Sequence, residues 1–150
     1  MKILVVNGPN LNLLGTREPE IYGRKTLREL EREVTAHARK LKIRVRFFQS
    51  NHEGAIIDEL HASRRWADAI IINPAAFTHY SYAIRDALLA IDLPAAEVHL
   101  SDVDNREGDF RKISVVRDVC VHRCTGAGIG SYLQALDAFA ADRAARKKKT

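Results

Sequence analysis

Cysteine is scarce in this chain: only Cys120 and Cys124 occur among 150 residues. That excludes a disulfide framework, and two buried thiols in a reducing compartment are the expectation. His122 lies between them in Cys120-Val-His-Arg-Cys124. The set lacks a fourth ligand of suitable spacing and reads as a strand, where neighbours alternate faces, so no zinc site is expected. Long apolar runs are missing too. None approaches the roughly 20 residues needed to span a bilayer. The run at residues 3–6 is too short for a signal-peptide core, and Asn7-Gly-Pro-Asn10 is not a small-residue cleavage site. A cytoplasmic protein with no membrane contact is expected. The formal charge of +5 owes much to a basic tail at about 143–150. No aromatic stripe accompanies the positive charge, so nucleic acid is not an expected partner. Lysines near the negative pole of a frayed, solvated helix end explain the tail.

The length is that of one domain, so a single domain over residues 1–150 is expected. Within it, strand and helix patterns alternate. Residues 3–6 form a short buried strand stopped by Asn7-Gly-Pro9. A long loop carrying Gly8, Pro9, Gly15, Pro19 and Gly23 follows, and loops of that length are usually functional. Thr26-Leu-Arg-Glu29 is a capping box before a helix with Leu27, Leu30, Val34, Ala38 and Leu41 on one stripe. Ile43, Val45 and Phe47 have strand spacing. Ser50-Asn-His-Glu53 reads as a second capping box, opening a helix with Ile56, Ile57 and Leu60. Strands are expected at 69–72, 97–100 and 118–121. Helices are expected around Ile84, Ala87, Leu88 and Ile91, and after Gly126-Ala-Gly-Ile-Gly130, with Ile129, Leu133, Leu136, Phe139 and Ala140 on one face. Five strands alternating with four helices imply an α/β fold, a doubly wound five-stranded parallel sheet of order 2-1-3-4-5 with helices on both faces. Its site should lie at the carboxyl ends of strands 1, 3 and 4.

Those ends carry an unusual set: Asn10, Arg17, Tyr22, Asn73, His79, His99, Ser101, Arg106 and Arg111. The first loop has no Ser or Thr before Thr16, and Pro9 removes an amide donor, which argues against a phosphate cradle and against bound flavin. Asn7 and Asn73 stand where a phosphorelay receiver needs acidic residues to hold magnesium. The glycines at 126–130 follow the last strand, so they serve helix entry rather than a dinucleotide. No Ser-His-Asp arrangement and no metal-spaced carboxylates occur in these loops. The set can bind a carboxylate and hydroxyls and can move protons. Its natural ligand is a small polar anion.

The order and wording of four blocks resemble the type II 3-dehydroquinate dehydratases. They are the stretch from Asn7-Gly-Pro-Asn10 to Ile21-Tyr-Gly23; Gln49-Ser-Asn-His-Glu-Gly54 with Ile57-Asp-Glu-Leu-His61; Asn73-Pro-Ala-Ala-Phe-Thr-His79 with Ala83-Ile-Arg-Asp-Ala-Leu88; and Glu97-Val-His-Leu-Ser101. The resemblance runs from residue 3 to about 140. It implies a flavodoxin-like catalytic domain, no cofactor, no metal, and trimers assembled into a dodecamer. It implies reversible loss of water from 3-dehydroquinate through an enolate, giving 3-dehydroshikimate, as part of the shikimate pathway or of quinate catabolism. It also implies roles. Tyr22 is the base at C2, Arg17 holds it as tyrosinate, His99 protonates the departing C1 hydroxyl, and Asn10 helps stabilise the enolate. Asn73, His79, Leu100, Ser101 and Arg111 bind substrate; Asp86 reaches a neighbouring subunit's site; Glu97 orients His99. In this chain Ala75 stands where the family usually has Gly, Asp102 where Asn is common, and residues 106–111 are one longer than usual.

Elementary chemistry agrees with these implied roles. A free tyrosine ionises near pH 10, so at pH 7 about one in a thousand is tyrosinate, a deficit near 4 kcal/mol. A neighbouring guanidinium is the available remedy. Histidine titrates nearest neutrality and suits a proton donor. The competing reading is a non-enzymatic small-anion-binding module on the same fold, which would not need Arg17, Tyr22 and His99 together.

Overall fold

A computed structural model describes residues 1–16, 24–105 and 107–148. Five parallel strands form one sheet in the order β2-β1-β3-β4-β5. They are β1 (Lys2–Asn7), β2 (Arg44–Gln49), β3 (Ala69–Asn73), β4 (Ala95–His99) and β5 (His122–Thr125). The four α-helices are α1 (Leu27–Lys40), α2 (Glu53–Ser63), α3 (Tyr82–Ile91) and α4 (Gly130–Lys147).

Strand periodicity explains the layering. Ile3 and Val5 of β1 and Ile71 of β3 face the α1 and α4 side, with Leu30, Val34, Tyr132, Leu136 and Phe139. Leu4, Val6, Ile70 and Ile72 face the other side, with Ile56, Leu60, Ile84 and Leu88 of α2 and α3. The central strands are buried on both faces, which is why they read as continuous apolar runs. No helix among the described residues is long and apolar enough to cross a membrane.

The Thr26 capping box forms with both of its hydrogen bonds. The second one does not. His52 is the N-cap of α2 and offers no side-chain cap, while Ser50 Oγ accepts from the His52 amide at 3.0 Å. Ser50 therefore makes a local turn two residues too early to cap the helix. The fifth strand also lies later than expected. Residues 117–119 form a 3-10 turn, and pairing with β4 begins at His122 opposite Ala96. The strand expected at 118–121 is thus displaced, and the strand that pairs is a half-buried polar edge. On α4 the buried stripe is Tyr132, Ala135, Leu136 and Phe139, turned from the expected one, with Ile129, Leu133 and Ala140 only partly buried. The described part of the tail, residues 144–148, is exposed, but its start is anchored. Helix α4 continues to Lys147, and the Arg143 guanidinium donates to the carbonyls of Leu41 at 2.8 Å and Lys42 at 3.3 Å just past α1.

Candidate active site

The carboxyl ends of β1, β3 and β4 enclose a cleft, as the strand order requires. Pro9, Asn10, Leu11 and Leu14 line it from the first loop. Asn73, Ala75, Ala76 and His79 come from the end of β3. His99, Leu100, Ser101, Val103 and Arg111 come from β4 and the segment after it. Seven of the expected site residues thus converge: Asn10, Asn73, His79, His99, Leu100, Ser101 and Arg111. Asp86 does not join them. It is an exposed side chain on α3, 3.5 Å from Arg85. Arg17, Tyr22 and Arg106 lie outside the described residues.

The first two loops fit together closely. The Gly8 amide donates to the Asn73 carbonyl at 2.8 Å. A Cβ at Gly8 would meet the Pro74 carbonyl oxygen at 2.5 Å, so only glycine allows this approach. Asn10 has φ 66°, a left-handed conformation that asparagine tolerates, and its amide donates to Asn51 Oδ1 at 2.9 Å. Ala75 has φ 52°, and its amide donates to Asn73 Oδ1 at 3.1 Å. An alanine there carries left-handed strain of about 1–2 kcal/mol, which a glycine would not.

A neutral chain fixes Asn73 from behind. Its Nδ2 donates to the Tyr132 hydroxyl at 2.9 Å, and that hydroxyl donates to Asn7 Oδ1 at 2.7 Å. All three side chains are buried. Burial pushes the Tyr132 phenol well above its usual range, so it stays protonated. Tyr132 was not among the expected site residues; the signal that could have found it is a polar-headed aromatic at position i−4 from Leu136 on the core stripe.

The charged centre lies beside this chain. Glu97 is fully buried in β4 and accepts from four side chains. His99 Nε2 is 2.7 Å from Oε1, Thr78 Oγ1 2.5 Å from Oε1, and Arg123 Nε 3.2 Å from Oε2. Ser114 Oγ lies 2.8 Å from one carboxylate oxygen and 2.9 Å from the other. Burial alone would raise the carboxyl's pKa. The hydrogen bond and charge of His99, with the Thr78 and Ser114 hydroxyls, outweigh that and bring it down to about 2. Glu97 is therefore a carboxylate at neutral pH, and His99 Nε2 must carry the proton between them. This leaves Nδ1 of His99 as the ring nitrogen available to the cleft.

His79 is arranged the other way round. Its Nδ1 donates to the Ile113 carbonyl at 2.7 Å, and its ring stands edge-on to Phe110 with centroids 5.4 Å apart. Burial lowers its pKa, reinforced by the charges of His99 and Arg111 and opposed by the Ile113 bond. A neutral His79 offers Nε2 as an acceptor for a hydroxyl. Arg111 stacks on Phe110, with Cζ 4.8 Å from the ring centroid, and supplies a cation at the cleft wall. The cleft thus combines a fixed histidine–carboxylate pair, an acceptor for hydroxyls and a guanidinium for an anion. Cys120 and Cys124 are half-buried free thiols away from this wall, and burial pushes the Cys120 thiol up to about 12.

The chain matches the family model described as Dehydroquinase class II over residues 1–140. It is 53% identical over 138 residues to the 3-dehydroquinate dehydratase of Halothermothrix orenii, covering 92% of this chain and 93% of that protein. It is 51% identical over 137 residues to that of Prochlorococcus marinus, covering 91% and 92%. Among solved structures, the type II dehydroquinase of Butyrivibrio crossotus is similar with a TM-score of 0.89 and 48% identity, over 92% of this chain and 96% of that one.

Proposed function

Because this chain belongs to the class II dehydroquinases, hydro-lyases acting on 3-dehydroquinate, we propose how its own residues carry out the elimination. Tyr22 as tyrosinate takes a proton from C2, next to the ketone, and the electron pair moves onto the ketone oxygen as an enolate. Arg17 keeps Tyr22 ionised. Asn10 and its loop supply donors to the enolate. Collapse of the enolate expels the C1 hydroxyl, which takes a proton from His99 and leaves as water. Tyr22 is then neutral and His99 lacks one proton, so a net transfer back through solvent resets the site. Asn73, His79, the backbone at Leu100, Ser101 and Arg111 bind the substrate carboxylate and hydroxyls.

The observation that carries this reading is the His99–Glu97 pair. A carboxylate fixed at 2.7 Å from Nε2 commits one ring nitrogen and orients the other toward the cleft. A non-enzymatic anion-binding module would need no such oriented donor, and the similar proteins are named as dehydratases.

The chemistry asks for no cofactor or metal, so activity should survive exhaustive chelation. Asp86 serves a site only if a second subunit brings it there. Tyr80, Tyr82 and Leu89, on or beside the same helix, are exposed apolar surface suited to self-association. A dodecamer built of trimers is the proposed assembly, with light scattering near twelve chain masses expected, and the cytoplasm is the proposed location.

The decisive experiment is Tyr22→Phe, which keeps the ring and removes the group that accepts the C2 proton. Turnover followed by absorbance of the conjugated enone should fall at least about a hundredfold, with the fold intact. Near-normal turnover would overturn the assignment and make His99 the first alternative base. Arg17→Lys keeps a charge but loses the planar fork, so it should also be strongly impaired, with the basic pKa of the pH–rate profile moved upward.

A further inference from the structure

The mechanism above leaves Arg123 and Asp104 without a part. Arg123 comes from β5, and its Nε donates to buried Glu97 Oε2 at 3.2 Å. The rest of its guanidinium forms a two-pronged pair with Asp104, Nη1 to Oδ2 at 2.7 Å and Nη2 to Oδ1 at 3.0 Å. Asp104 belongs to the 3-10 turn Val103–Asn105, whose first residue lines the cleft. Four groups of alternating charge therefore run from the surface to the proton donor: Asp104, Arg123, Glu97 and His99.

We propose that Arg123 is a positioning residue which, together with Asp104, sets the proton affinity of His99 through Glu97 while holding the Val103 turn against the cleft. Glu97 presents one oxygen to His99 and the other to Arg123. The field it exerts on the imidazolium is partly spent on the guanidinium. Asp104 in turn draws the guanidinium outward and weakens that competition. Because the side chain of Arg123 is only 16% exposed, solvent screens these terms less than it would a surface pair.

The other charged or titratable groups around this centre are few. His79 faces His99 from the turn after β3, and Arg111 from the segment after β4. Cys120, just before β5, feels the Glu97 charge, and Arg117 feels Asp104. None of these joins Asp104 to Glu97 by hydrogen bonds among the described residues. Arg17 and Tyr22 complete the site in the proposed mechanism.

The alternation makes a test that a merely structural contact would not pass. Arg123→Gln removes a positive charge, so the imidazolium is favoured and the His99 titration should move up by about half a pH unit or more. Asp104→Asn, at an exposed position, removes a negative charge and leaves Arg123 wholly to Glu97, so the titration should move down. Arg123→Lys should fall between wild type and Arg123→Gln. The readout is the His99 ring proton followed by NMR, identified by its loss in His99→Gln, beside the high-pH limb of kcat/KM. Opposite shifts in the first two variants support the proposal. Shifts of the same sign, or none, overturn it even if KM rises in both. Should Arg123→Gln fail to fold, the downward shift in Asp104→Asn decides alone. The inference for catalysis rests on His99 as the acid, and the two measurements separate the ideas: an NMR titration that moves while the kinetic limb stays still sustains the chain and sinks that role.

Discussion

Two polar chains lie behind the cleft, one buried and one part-buried around a buried carboxylate, and they are built on opposite plans. Asn7, Tyr132 and Asn73 tie β1, α4 and β3 together without a formal charge. Thr78, Glu97, Ser114 and Arg123 tie the turn after β3, β4, the segment before β5 and β5 together around one buried carboxylate. The neutral chain leaves Asn7 Nδ2 with no hydrogen-bond partner among the described residues. The charged centre surrounds its carboxylate with donors. A lost neutral partner leaves an amide or hydroxyl unsatisfied, whereas a lost charged partner leaves an ion buried. In the proposed mechanism Asn73 needs position alone, so a chain that does not titrate suffices, whereas His99 has to hold and release a proton, which a neighbouring charge assists.

The largest effect should follow from removing the carboxylate. Glu97→Ala leaves the half-buried Arg123 with Asp104 but without its inner partner, and leaves His99, Thr78 and Ser114 without their acceptor. We expect a loss of about 3–5 kcal/mol in unfolding free energy at pH 7. A loss below about 1 kcal/mol in urea denaturation would abolish the contrast between the two chains. Acid should reveal the same charge. The Glu97 carboxyl lies at about 2 in the folded protein against 4.5 ordinarily, so its contribution is fully present above about pH 4.5 and is lost as pH falls toward 2. At about 1.4 kcal/mol per pH unit, the contribution is about 3 kcal/mol. The fall over that window should be smaller in Glu97→Gln, where no carboxyl titrates. Equal acid sensitivity in the two proteins would assign the loss to other carboxylates.

The contrast also explains what could be read from the residues in advance. The sheet order was legible because β1 and β3 are uninterrupted apolar runs and the helices carry clear stripes. Most of the cleft was legible because its polar residues cluster just past strand ends, where a doubly wound sheet puts its ligands. Strand β5 was misplaced because its residues are polar, and they are polar because Arg123 and His122 are engaged by Glu97, Asp104 and Asp142. Periodicity reports burial in apolar surroundings; it is blind to a side chain held by ion pairs. Tyr132 was missed for a related reason. Its ring belongs to the core and its hydroxyl to the site, and the residue pattern shows only the ring. The Ser50 box failed because the same hydroxyl can close a tight local turn, and nothing in the spacing decides between the two. Ala75 is the opposite case. The departure from glycine was visible, and the positive φ shows what it costs.

The smallest effect belongs to the neutral chain. Tyr132→Phe keeps the buried ring and removes one hydroxyl, leaving Asn73 Nδ2 without its acceptor and Asn7 Oδ1 without its donor. The cost should be about 1–3 kcal/mol. None of the three groups titrates below neutrality, because burial holds the phenol protonated and the amides carry no proton to lose. The difference in stability between wild type and Tyr132→Phe should therefore be the same at pH 7 and pH 4. In activity, the freed Asn73 side chain should weaken substrate binding, raising KM more than it lowers kcat, while the pH–rate profile keeps its shape. A Tyr132→Phe enzyme whose pH profile moves would show that the neutral chain reaches the proton chemistry of His99, and the division of labour between the two chains would fail.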